Sequence, residues 1–141
     1  MGAEKLRKSA FKHVEGELFS YHDTRKELIR LRNEILYGSH VEDENIGGGR
    51  SNLPGDPTGR KVTTLVSHKK LQHLEMIVES IESIYDRLPE HKKRVVNLYY
   101  WTRPQTLTWE GIAQKCNISR RQALVWRDEV IYSISELIGW R

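Results

Sequence analysis

Arg120 and Arg121 follow directly on Ser119, and that order carries the chemistry of this chain. Serine opens helices well, because its hydroxyl oxygen accepts a hydrogen bond from a free backbone amide of the first turn. The two arginines then occupy the first turn of a predicted helix. A guanidinium there presents paired donors, which match the major-groove edge of guanine. Gln122, Leu124 and Val125 continue the exposed start of the helix, and the two apolar residues are placed to meet thymine methyl groups. Thr108, Lys115, Ser119 and Arg127 flank that start, where phosphates would lie. The expected interface to double-stranded DNA is therefore Thr108, Lys115, Ser119, Arg120, Arg121, Gln122, Leu124, Val125 and Arg127.

The elements that must hold these residues are legible around them. Ile112, Ala113 and Cys116 form one apolar face of a short helix, and Ala113 is small enough to let a second helix cross closely. Asn117 tolerates the left-handed backbone of a tight turn. Ile118 plugs the turn, and Ala123, Trp126 and Val130 share a face of the next helix at spacings of three and four. Thr106–Arg127 thus reads as a helix-turn-helix. Thr108 caps its first helix, whose free amides suit a phosphate. Pro89 opens an earlier helix carrying Val95, Val96, Leu98, Tyr99 and Trp101, and Pro104 ends it. The plain alternative is an ordinary bundle with solvated arginines.

Upstream, the pattern divides into an N-terminal helical region (1–38), a linker (39–61) and a long helix (62–88) ahead of the DNA-binding domain (89–141). Leu6, Phe11, Val14, Leu18 and Tyr21 mark the first helix. Thr24 and Glu27 are spaced as a capping box for a second, with Leu28, Leu31 and Ile35 inward and Gly38 at its end. The linker is acidic, then glycine-rich at Gly47–Gly49, then turn-rich from Pro54 to Gly59. It lacks the Gly-Lys-Ser/Thr ending of a phosphate-binding loop. Leu71, Leu74, Val78, Ile81, Tyr85 and Leu88 make a short heptad seam, which packing inside the chain or a second copy would satisfy equally. The final helix runs to about Ile138. It carries a core face of Trp126, Val130, Ile134 and Leu137, and a second stripe of Leu124, Ile131 and Ile138. That second stripe is the favoured surface for a homo-oligomer.

Composition sets the bounds. The chain has 141 residues, 30% charged and 38% hydrophobic, with a net charge of +4. Nine Lys/Arg and five Asp/Glu lie from Pro89 onward, so the whole surplus of four sits with the helix-turn-helix, and the first 88 residues balance at 14 of each sign. A basic surplus on one module is the electrostatic footprint of nucleic-acid binding. The single cysteine, Cys116, excludes an internal disulfide and reads as a small core hydrophobe. No stretch approaches the about 20 apolar residues of a membrane span. No secretion signal is legible, so a cytoplasmic protein is expected. His68 and His73 miss helical metal-pair spacing, and no triad, zinc quartet or Walker loop is present. The expectation is an all-α protein that is not an enzyme, with no catalytic residue, no metal and no cofactor.

Leu88-Pro89, Leu98-Tyr99-Tyr100, Leu107 to Ala113, Ile118 to Arg121 and Trp126-Arg127 resemble the fourth region of bacterial sigma factors. Tyr21-His22, Leu28, Leu31-Arg32, Glu34-Ile35 and Asp43 to Gly49 narrow this, because together with the trihelix they resemble the RinA/ArpU-like phage late transcription regulators of Gram-positive bacteria. Asn117 departs from the glycine usual in that turn. The resemblance implies a sequence-specific activator of late phage genes, for packaging, morphogenesis and lysis. It would sit upstream of a late promoter in the cytoplasm of a bacterial host and recruit RNA polymerase. A small terminase subunit and a helical adaptor that binds no DNA are the rival readings.

Overall fold

The computed structural model describes residues 6–45 and 57–140, with side chains in 6–37 and 65–140. Among these residues every regular element is a helix, so the chain is all-α. The helices are α1 (Lys8–Phe19), α2 (Tyr21–Asn45), α3 (Pro57–Arg87), α4 (Glu90–Tyr99), α5 (Trp109–Cys116) and α6 (Arg120–Ile138). Their contacts divide them into two compact units. One joins the described residues up to His22 with those from Ile77 onward, and the other is Asp23–Met76.

The first unit is built on α6. Ala123, Val130, Ile131, Ile134 and Ile138 are buried along it, on more than one face. A helix apolar over two faces needs cover on both. On one side α4 and α5 supply Val95, Val96, Ile112 and Ala113. On another lies α1, whose Ala10, Val14 and Leu18 recur every fourth residue and form a single stripe. Phe11 meets Tyr132 edge-on with ring centroids 6.2 Å apart, and His13 meets Trp140 at 3.9 Å. Ile77, Val78 and Ile81 from the last turns of α3 are also buried in this unit. Tyr100, the bulkiest fully buried side chain, donates from its hydroxyl to Glu15 Oε2 at 2.7 Å. Burial first, and then that carboxylate, push its ionisation well above the usual phenol range.

Four sequence expectations change here. The Leu124–Ile131–Ile138 stripe, assigned above to a second subunit, is covered within one chain. Ile131 is 0% exposed, Ile138 is buried and Leu124 is half-buried. The core face of α6 stops short of Leu137, which is 48% exposed. The Thr24–Glu27 capping box does not form, because the chain is already helical from Tyr21, with only Ser20 between α1 and α2. Glu27 turns instead to Arg30. The segment boundaries also move. α2 runs through Gly38 to Asn45, and α3 starts at Pro57. A glycine inside a helix costs only about 1 kcal/mol, so it does not force an end, and proline is welcome in a helix's first turn. The glycine-rich stretch Gly47–Gly49 and Pro54 lie outside the described residues.

The heptad seam of α3 is used inside the chain. Val78 and Ile81 are buried and Leu71, Leu74, Tyr85 and Leu88 are half-buried, with Ile77 joining them. In the second unit Leu28 and Leu31 are buried. Ion pairs tie α2 to α3 there: Lys70 to Glu27 at 3.4 Å and Arg32 to Glu75 at 2.9 Å. Arg30 bridges Glu27 and Glu34 at 2.7 and 2.6 Å. The Arg30 guanidinium, helped by Lys70, pulls the Glu27 carboxyl down from 4.5 to about 2.

Candidate nucleic-acid interface

The candidate interface is assembled from three short signals in the sequence between α4 and α6. First, Thr108 has extended backbone (φ −85°, ψ 171°), and its hydroxyl oxygen accepts from the Gly111 amide at 3.1 Å. A side chain at Gly111 would press on Leu107, since an added Cβ meets Leu107 Cδ2 at 3.3 Å. The Trp109 ring stacks on Tyr99 with centroids 4.0 Å apart and planes 23° apart, which fixes the start of α5 against the end of α4. Gln105 finishes α4 from the other direction, with its Nε2 donating to the carbonyls of Leu98 and Tyr99.

Second, Asn117 ends α5 in the left-handed region, at φ 58° and ψ 43°. Its amide donates to the Gln114 carbonyl at 3.2 Å, and that of Ile118 donates to Ala113 at 3.0 Å. Those two bonds satisfy carbonyls that the end of a helix leaves open. Third, Ser119 returns the chain to extended backbone (φ −76°, ψ 157°) and accepts from the Gln122 amide at 3.0 Å. The turn is therefore Asn117-Ile118-Ser119, held at both ends, with α6 packed across α5 over Ile112, Ala113 and Ala123.

Seen from solvent, the expected residues separate into groups. Arg120 and Arg121 form the exposed first turn of α6, which contains no acidic residue, and among the described residues neither has an ion-pair partner. Lys115 is exposed in the last turn of α5, and Thr108 and Ser119 are exposed at their caps. Val125 is 42% exposed, while Gln122 and Leu124 are half-buried. Arg127 stands apart. Its side chain is only 23% exposed, with its guanidinium carbon 5.1 Å from the Phe11 ring centre and 5.6 Å from that of Trp109. Its Nε and Nη2 both reach Asp128 Oδ1, at 2.9 and 2.8 Å. This arginine ties α1, α5 and α6 together.

Sequence reasoning missed that role because Phe11 is more than 100 positions away and carries no local sign of its partner. It also placed Trp126 in the core. The ring is half-buried, with the Lys92 ammonium 5.8 Å from its centre and His91 at 4.9 Å. Lys92 is itself paired with Glu129 at 3.2 Å. Cys116 is a half-buried free thiol. Among the described residues no group of three His, Cys, Asp or Glu is arranged to hold a metal ion, and no helix is long and apolar enough to cross a membrane.

The model of a family described as "Protein of unknown function (DUF722)" matches residues 18–136, from the end of α1 almost to the end of α6. No curated protein and no solved structure matches.

Proposed function

We propose that this chain, which belongs to the DUF722 family, binds double-stranded DNA by sequence and activates transcription of phage late genes. The observation that carries the reading is the start of α6. Two arginines with no acidic neighbour in their turn stand on a helix whose N-terminus is capped by Ser119 and braced by α5. That is the geometry by which a recognition helix presents its first residues to base edges. Arg120 and Arg121 would read bases. Lys115 and the two capped turns at Thr108 and Ser119 would hold flanking phosphates. Activation at a late promoter, with bacterial RNA polymerase as partner, rests on the resemblance to phage late regulators and sigma factors.

Footprinting on the phage DNA surrounding the gene tests the reading. A protected site of defined sequence upstream of late genes, with transcription rising when the protein is added, is the expected result. Salt-sensitive binding with no protected sequence would reduce the reading to a non-specific binder. No binding at low salt would leave the trihelix as a surface for protein partners.

A further inference from the structure

A cavity of about 440 Å³ opens in the first unit, between the start of α2, the last turns of α3 and the end of α4. It shares no residue with the Thr108–Val125 face. Its walls carry the rings of Tyr21, His22, Tyr85 and Trp101, the carboxylates of Glu82 and Asp86 and the amide of Asn97, and no Lys or Arg lines it. The rings form a continuous aromatic wall, with the centroids of Tyr21 and Tyr85 5.0 and 4.8 Å from that of Trp101. Each of these three rings takes part in a hydrogen bond. The Tyr21 hydroxyl donates to Glu82, Asn97 Nδ2 donates to the Tyr85 hydroxyl at 2.7 Å, and Trp101 Nε1 donates to the Leu18 carbonyl at 2.9 Å. A wall held this way has little ordering entropy left to lose when something binds.

We infer that this cavity binds an organic cation: a guanidinium or alkylammonium group on a short apolar stem. Aromatic faces are electron-rich and attract a cation within about 6 Å of their centres. One face of Tyr85 already does so, with the Lys93 ammonium 5.4 Å from its centre. Asp86, exposed at the rim, is placed to receive the charged head. A metal ion needs several ligands gathered together, and among the described residues no group of three His, Cys, Asp or Glu is arranged to hold one. A weakly hydrated organic cation gives up less water on entering such a wall, and a planar guanidinium also stacks on it.

Two sources offer this chemistry, a free polyamine-like metabolite and an arginine or lysine side chain of a protein partner. The test titrates the full-length protein with agmatine, and separately with the peptide acetyl-Gly-Arg-Gly-amide, following the Trp101 indole signal by NMR. N-butylurea serves as an uncharged probe of similar shape. A saturable shift with a cation and none with N-butylurea is expected, and the tighter of agmatine and peptide identifies the source. Asp86→Asn and Tyr85→Leu should each weaken binding by about tenfold while Tm at Asp86→Asn stays unchanged. No saturable shift with either cation, equal binding of N-butylurea, or full affinity in Asp86→Asn would each overturn the assignment. None of these measurements involves DNA, so their outcome is separate from that of the footprint.

Discussion

Arg120 and Arg127 lie on one helix and do opposite work. Arg120 and its neighbour Arg121 keep their donors in solvent, whereas Arg127 commits its own to Asp128 and two aromatic faces. Arg120→Ala or Arg121→Ala should cost about 1–3 kcal/mol of binding at the specific site and relax base preference there, measured by fluorescence anisotropy. Lys115→Ala should weaken specific and random DNA alike and lower the salt slope by about one unit. Arg127→Ala should leave that slope unchanged and instead lower stability by about 1–2 kcal/mol in denaturant melts. Arg127→Lys should fail to restore it, because an ammonium lacks the planar fork that stacks and pairs at once. A slope that falls in Arg127→Ala would make it a phosphate contact. The exposed arginines were legible in the sequence because a cap and a charge pattern are local. The burial of Arg127 was not, because the ring it leans on belongs to the far end of the chain.

At the scale of the element, the turn between α5 and α6 was readable almost atom by atom. Asn117 takes the left-handed backbone and Thr108 and Ser119 cap, as their chemistry predicts. Ser119→Ala should therefore cost about 0.5–2 kcal/mol in thermal or denaturant unfolding, since it strands the Gln122 amide. A loss indistinguishable from zero would mean that water replaces the hydroxyl. Thr24 shows the limit of the same reasoning. Its motif is as good as the one at Ser119, but a cap forms only where the backbone leaves the helix, and here Tyr21 has already begun it. Glu27, freed from that task, pairs with Arg30 and Lys70. Its carboxyl is depressed in the folded state, so the stability it adds is complete above 4.5 and lost as pH falls toward about 2. Both partners are exposed, which keeps the effect small and salt-sensitive. Glu27→Gln should remove that part of the acid dependence, as read by the helical signal of the chain across pH 5 to about 2.

For the whole molecule, α6 decides what the chain tolerates. Ile131 has no exposed surface, so Ile131→Asp buries an unpaired carboxylate and should cost about 4 kcal/mol or more, abolishing the cooperative melt. A folded, monomeric Ile131→Asp protein would show that the residue faces a partner after all. The all-helical class and most core positions of α4 to α6 followed from periodicity. That α1 belongs to the same core did not, because periodicity says which face is apolar and never what covers it. Residues 8–19 and 120–138 complete one another across almost the whole length of the chain. During synthesis, then, α1 emerges well before α6, and Val14 and Leu18 lack that helix's cover until it follows. A long closure of this kind is slow and leaves apolar surface open to other chains until it is made. Messages cut short before the codons of α6 would therefore yield chains that chaperones hold and proteases clear, and no truncated product would accumulate.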